Sequence, residues 1–124
     1  MSENAAAPPG WPPQVPPPGV EGWREASVGW LLDQCPADYR LHDVWRRHPG
    51  ALAWIAARHV QGQVTVMREA YRQARVDLTG RVPAGSMPEV LAALEHEGLR
   101  LRATARAATL VTEAMGGKRY VPRL

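Results

Sequence analysis

Two ladders of side chains, each stepping alternately four and three residues, constrain this chain more than any other feature. The first runs Ala53, Ala57, Val60, Val64, Met67, Tyr71, Ala74, Leu78. The second runs Met87, Leu91, Leu94, Gly98, Leu101, Ala105, Ala108, Thr112, Met115. On a helix this spacing gathers all of them into one stripe, whereas a strand would scatter them over two faces. A stripe of that kind needs a facing partner to keep it from water. The ends agree with the periodicity. Pro49 suits a first helical position, where its missing N–H costs nothing, and Gly80 suits a helix stop. Ser86-Met87-Pro88-Glu89 has the spacing of a capping box, and Gly116-Gly117 closes the second ladder. The spacing predicts long helices over residues 49–79 and 87–115, running antiparallel across a short turn.

Pairing the two ladders outward from that turn sets Leu78 beside Met87, Tyr71 beside Leu94 and Met67 beside Gly98. At the far end, Ala57 and Ala53 face Ala108 and Thr112. Bulk therefore sits near the turn and small residues at the open end. Small faces either approach closely or leave room for something large, and Trp23, Trp30, Trp45 and Trp54 are at hand. Residues 23–34 carry Trp23, Ser27, Trp30, Leu31 and Gln34 on one helical side, and Pro36 ends that helix. A second short helix over 37–47 would place Leu41, Val44 and Trp45 together, with His48 just beyond. The expectation is that this segment folds back on the open end and fills it, each buried indole removing ~150–250 Å² from water.

Residues 1–22 hold seven of the twelve prolines. Proline lacks an amide donor, so neither helix nor ladder is expected there, and a disordered tail follows. Its Pro9-x-x-Pro12 and Pro13-x-x-Pro16 spacings flank Trp11 and are also of the kind that docks on aromatic grooves. Nothing in the tail has the basic start and apolar run of a signal peptide. Residues 116–124, GGKRYVPRL, are expected to form an extended basic arm. The fold class is thus all-α: a helical hairpin, a short helical segment at its open end, a tail and an arm. With 124 residues, one domain is expected.

Composition excludes several function classes. One cysteine, Cys35, forms no internal disulfide, which suits a reducing cytoplasm. The histidines His42, His48, His59 and His96 lack the tight pair spacing of a zinc site. The serines lack a nucleophile elbow, and no Gly-rich loop follows a strand. No stretch approaches the ~20 apolar residues that cross a bilayer. Net charge is +3, and Arg outnumbers Lys fourteen to one. That blend of Ala, Arg and Pro resembles small proteins of high-GC bacteria. Arg58, Gln61, Thr65, Arg68, Arg72 and Arg75 form a basic stripe of the first long helix, compatible with an anionic partner.

The expected function is a non-catalytic helical interaction or scaffold protein, self-associating or binding another helical protein. The contact would be the outer apolar side of the second long helix, at Leu99, Ala103 and Leu110. The alternative is a nucleic-acid-binding accessory protein using Arg58, Arg68, Arg72 and Arg75. No cofactor, metal or membrane partner is expected.

Overall fold

The computed structural model describes residues 7–122. The first six residues of the expected tail and the last two of the expected arm lie outside the described residues. Four α-helices follow one another: α1 (Trp23–Asp33), α2 (Val44–Arg47), α3 (Pro49–Asp77) and α4 (Met87–Met115). Short 3₁₀ turns occupy Ala37–Leu41 and Ala84–Ser86. The described residues hold no strand, so the fold is all-α.

Helices α3 and α4, 29 residues and about 43 Å each, form the hairpin. Tyr71 and Met67 lie across from Leu94 and Gly98, and Trp54 and Ala57 across from Ala105 and Thr112. The helices therefore run antiparallel in the register the two ladders set. Val60, Val64, Ala74, Leu91, Leu101 and Ala108 are buried along the seam, and Tyr71 stands at its edge, 38% exposed.

The ends differ from expectation in two places. Helix α3 stops at Asp77, where Thr79 turns its hydroxyl back to the Arg75 carbonyl at 2.6 Å and the Leu78 carbonyl accepts from Arg81 at 2.9 Å. Gly80, at φ 84°, supplies the left-handed step beyond it. The capping box does not form. Ser86 already has helical dihedrals (φ −92°, ψ −9°) and its side chain makes no cap bond, because the 3₁₀ turn after Pro83 delivers the chain to α4 in helical conformation. A capping side chain needs the extended dihedrals that this entry removes.

The Pro-rich leader corrects the expectation of a disordered tail over residues 7–22. It is a chain of four tight turns, closed by Trp11 to Pro8, Val15 to Pro12, Val20 to Pro17 and Trp23 to Val20, at 3.0–3.1 Å. Pro8-Pro9-Gly10 and Pro17-Pro18-Gly19 repeat one device: proline fixes the first central dihedral and glycine (φ 95° and 90°) takes the second. Every turn ends on an apolar residue. Trp11 and Val15 are buried, and the Trp11 indole N–H donates to the Val15 carbonyl at 3.0 Å. Its ring meets Trp23 with centroids 6.2 Å apart. Trp11 is thus committed to the chain's own core rather than offered to an aromatic groove.

The N-terminal segment does fill the open end, with a changed cast. Trp30, Leu31 and Leu32 of α1 are buried with Leu52, Ala53 and Ala56 of α3 and Ala107, Ala108, Val111 and Ala114 of α4. Trp23 and Trp45 are half-buried, whereas Trp54 is 56% exposed and contributes little bulk. The expected helix over 37–47 breaks into the first 3₁₀ turn and the four residues of α2, and Leu41 is exposed. What anchors this stretch is aromatic. Tyr39 stacks on Trp45 with centroids 5.3 Å apart and shares a 2.7 Å hydrogen bond with His59 of α3.

Candidate functional site

Leader and α1 cover only one face of the hairpin. That face presents Leu52 and Ala56 from α3 and Ala107, Val111 and Ala114 from α4. At 100° per residue, Trp54, Arg58, Gln61 and Arg68 lie on the opposite side of α3, and Arg102 and Thr109 on the opposite side of α4, with Leu99 on its flank. Between them runs an open groove. Toward the turn it is lined by Met67, Tyr71, Leu94, Gly98 and Leu99, with Arg68, Glu95 and Arg102 at its rim, and encloses about 240 Å³. Toward the open end lies a separate, shallower trough between Trp54, Ala57 and Arg58 on one side and Ala105, Thr109 and Thr112 on the other.

The ladders explain the groove. Gly98 replaces a side chain in the α4 ladder, and beyond its own stretch of helix backbone nothing lies within 4 Å of where its Cβ would stand. The missing side chain leaves a notch beside Met67 and Leu94. Leu99 stands next to it, 61% exposed. A leucine in that state on a rigid helix costs little alone but gains ~1.5–3 kcal/mol once a partner covers it.

The charged rim is predominantly basic, with Arg58, Arg68 and Arg102 against Glu95. Arg58 lies over the Trp54 ring at 4.6 Å, a cation–π contact that holds both side chains on the groove wall. The ion pairs among the described residues join Arg40 to Asp33, Arg47 to Asp43, Arg100 to Glu97 and Lys118 to Glu113. None uses Arg58, Arg68, Arg72, Arg75 or Arg102. The Arg100–Glu97 pair draws the Glu97 carboxyl below its usual range through its hydrogen bond.

The structure sorts the residues singled out above. Arg58, Arg68, Arg72 and Arg75 are all exposed on α3, with Arg58 and Arg68 at the groove itself. Leu99, Ala103 and Leu110 share one stripe of α4 at 100° per residue and differ in their surroundings. Leu99 lines the groove, Ala103 is exposed, and Leu110 is half-buried beside Gly10 and Pro8 of the leader. Arg102 escaped the sequence reading, although its place three residues after Leu99 puts it beside that side chain on a helix. Tyr71 and Leu94 were read as seam alone. Their second role as groove wall follows from the notch at Gly98.

Other polar groups have local partners. The Ser27 hydroxyl donates to the Trp23 carbonyl at 2.7 Å and the Cys35 thiol to the Leu31 carbonyl at 3.5 Å. Burial pushes the Cys35 thiol up, against a smaller opposing pull from Arg40. Among the described residues no three His, Cys, Asp or Glu side chains gather to hold a metal ion, and no helix is long and apolar enough to cross a membrane. No family model, curated protein or solved structure matches the chain.

Proposed function

We propose that this protein is a non-catalytic interaction module whose working surface is the uncovered face of the α3–α4 hairpin. One observation carries the reading: the hairpin is clothed on one side only, and the bare side has an apolar groove with Leu99, Tyr71 and Trp54 exposed along it. Helices pack at 8–10 Å through ridges entering grooves, and a notch between two helices is the shape a third helix fills. The partner classes that fit are another helical protein and a second copy of this chain. Leu99 is the shared contact in either case, with Ala103 at its margin.

The test is photo-crosslinking in the native cell. A photoreactive residue at Leu99 is expected to give a discrete adduct, and the same residue at Glu25, on the exposed side of α1, is expected to give none. Absence of any discrete adduct at Leu99 removes the proposal.

A second reading has its own support. Arg58, Arg68, Arg72 and Arg75 share one side of α3, all exposed and outside the ion pairs of the described residues. A nucleic-acid backbone lying along them would release counterions, so affinity would fall steeply with salt. Titrating labelled duplex DNA and single-stranded RNA at low and physiological salt decides it, and absence of binding at low salt ends it.

A further inference from the structure

The proposed docking face carries information about its occupant. We infer that the groove accepts an acidic amphipathic helix of another protein, lying along α3 and α4; this rests on the interaction-module reading above.

Length comes from the groove. Groove and trough together line α3 from Trp54 to Tyr71, about 25 Å, which is about five helical turns or 17–18 residues. Shape comes from its lining. Met67, Leu94 and Leu99 flank the Gly98 notch, so the occupant presents an apolar ridge, with side chains at i, i+3, i+4 and i+7. Charge comes from the rim. Arg58 and Arg68 rise from α3 and Arg102 from α4, against the single carboxylate of Glu95 in the groove lining. None of the three arginines pairs with a carboxylate among the described residues. A helix entering between these walls therefore needs Asp or Glu on both flanks of its apolar ridge.

The same charge argues against the two competing occupants. Two copies joined face to face would bring Arg58, Arg68 and Arg102 of each toward those of the other, and like charges at an interface disfavour the pairing. A nucleic-acid backbone satisfies the arginines and leaves Met67, Leu94 and Leu99 wet. Only an apolar ridge bordered by carboxylates satisfies both sets of side chains.

The experiment uses the full chain as bait for a displayed library of helical peptides of about 18 residues, with fixed apolar positions at helical spacing and Glu, Lys or Gln varied at the flanks. Enrichment of Glu at both flanks is expected. The selected peptides should weaken by about tenfold or more against the double variant Arg68→Glu, Arg102→Glu. They should bind unchanged to Arg81→Glu, a charge reversal in the turn. Circular dichroism and denaturation of both variants show that each remains folded. Flanks enriched in Lys, flanks without charge preference, no enrichment at all, or acidic peptides indifferent to the double variant each overturn the inference. So does a solution mass of two chains that Leu99→Glu returns to one, which assigns the face to a second copy. So does low-salt binding of the DNA and RNA probes that Arg68→Glu, Arg102→Glu abolishes. In any of these cases a Leu99 crosslink in the cell leaves the interaction-module reading standing, and its absence removes both.

Discussion

Trp11 shows how a single residue in a proline-rich stretch can belong to the core. It is 8% exposed, its indole N–H is satisfied by the Val15 carbonyl, and its ring meets Trp23. Removing a buried tryptophan side chain loses its transfer free energy and leaves a cavity, so Trp11→Ala is expected to destabilise the fold by about 3–5 kcal/mol in urea denaturation. A leader that merely trailed from the domain would give a change near zero. Cys35 supports a second prediction at this scale. Its thiol is buried and its folded pKa raised, so the unfolded chain ionises first as pH climbs. The stability it protects is whole below the unfolded thiol pKa and erodes as pH rises through that value toward the folded one. At neutral pH the native thiol is expected to react with a disulfide reagent much more slowly than the unfolded chain, and the rate should rise at the urea midpoint. Fast native labelling would contradict the burial.

Among the elements, the two long helices carry most of what the sequence foretold. Their periodicity, antiparallel sense and register were legible because the ladders repeat over many turns, and repetition averages out individual exceptions such as Gly98. Helix starts and short turns were less legible. Ser86 has the composition of a cap without the dihedrals, since a preceding 3₁₀ turn governs its conformation. The order of the leader is less legible, because proline's missing donor argues against helix and ladder without excluding tight turns. The repeated Pro-Pro-Gly before an apolar residue, at Trp11 and Val20, is a turn signal that was available in the sequence. Of the docking face, Leu99 and the α3 arginines were legible from spacing. Its location was not, because which side of a hairpin stays bare depends on where the leader packs. Within α3, Gly62 has no intrahelical reason to be glycine. A Cβ there meets nothing within 4 Å, and the backbone is ordinary helix. Gly62→Ala is therefore expected to stabilise the protein by about 0.5–1 kcal/mol, read as a shift in denaturation midpoint at constant slope. A loss of stability would mean that the site contacts something absent from the single chain.

The whole molecule is unevenly built along its length, and that unevenness links stability to function. At the open end the leader, α1, α3 and α4 share one cluster, with Leu31, Leu52, Ala53, Ala108 and Val111 fully buried. Toward the turn, α3 and α4 have only each other. Val64, Ala74, Leu91 and Leu101 are the buried residues there, and Val66, Val76 and Leu99 face water. Two helices side by side bury too little apolar surface to resist local opening, whereas three or more layers do. Native-state hydrogen exchange is thus expected to divide each long helix in two. Amides of residues 52–60 and 105–112 should exchange only through global unfolding. Those of residues 66–76 and 88–98 should exchange through a smaller opening, faster and with a weaker dependence on denaturant. Uniform protection from end to end would show that the turn half holds itself together without a third layer, and the case for a missing helix would weaken. A partner helix laid in the groove supplies that layer to the turn half. Binding should therefore slow exchange most in residues 66–71 and 94–98, which the groove spans, beyond the general slowing that a native-state ligand gives amides exchanging through global unfolding. This asymmetry gives the groove its physical rationale: the end that the chain's own N-terminal segment completes is the stable one, and the end left with two helices is the one where an outside helix adds most.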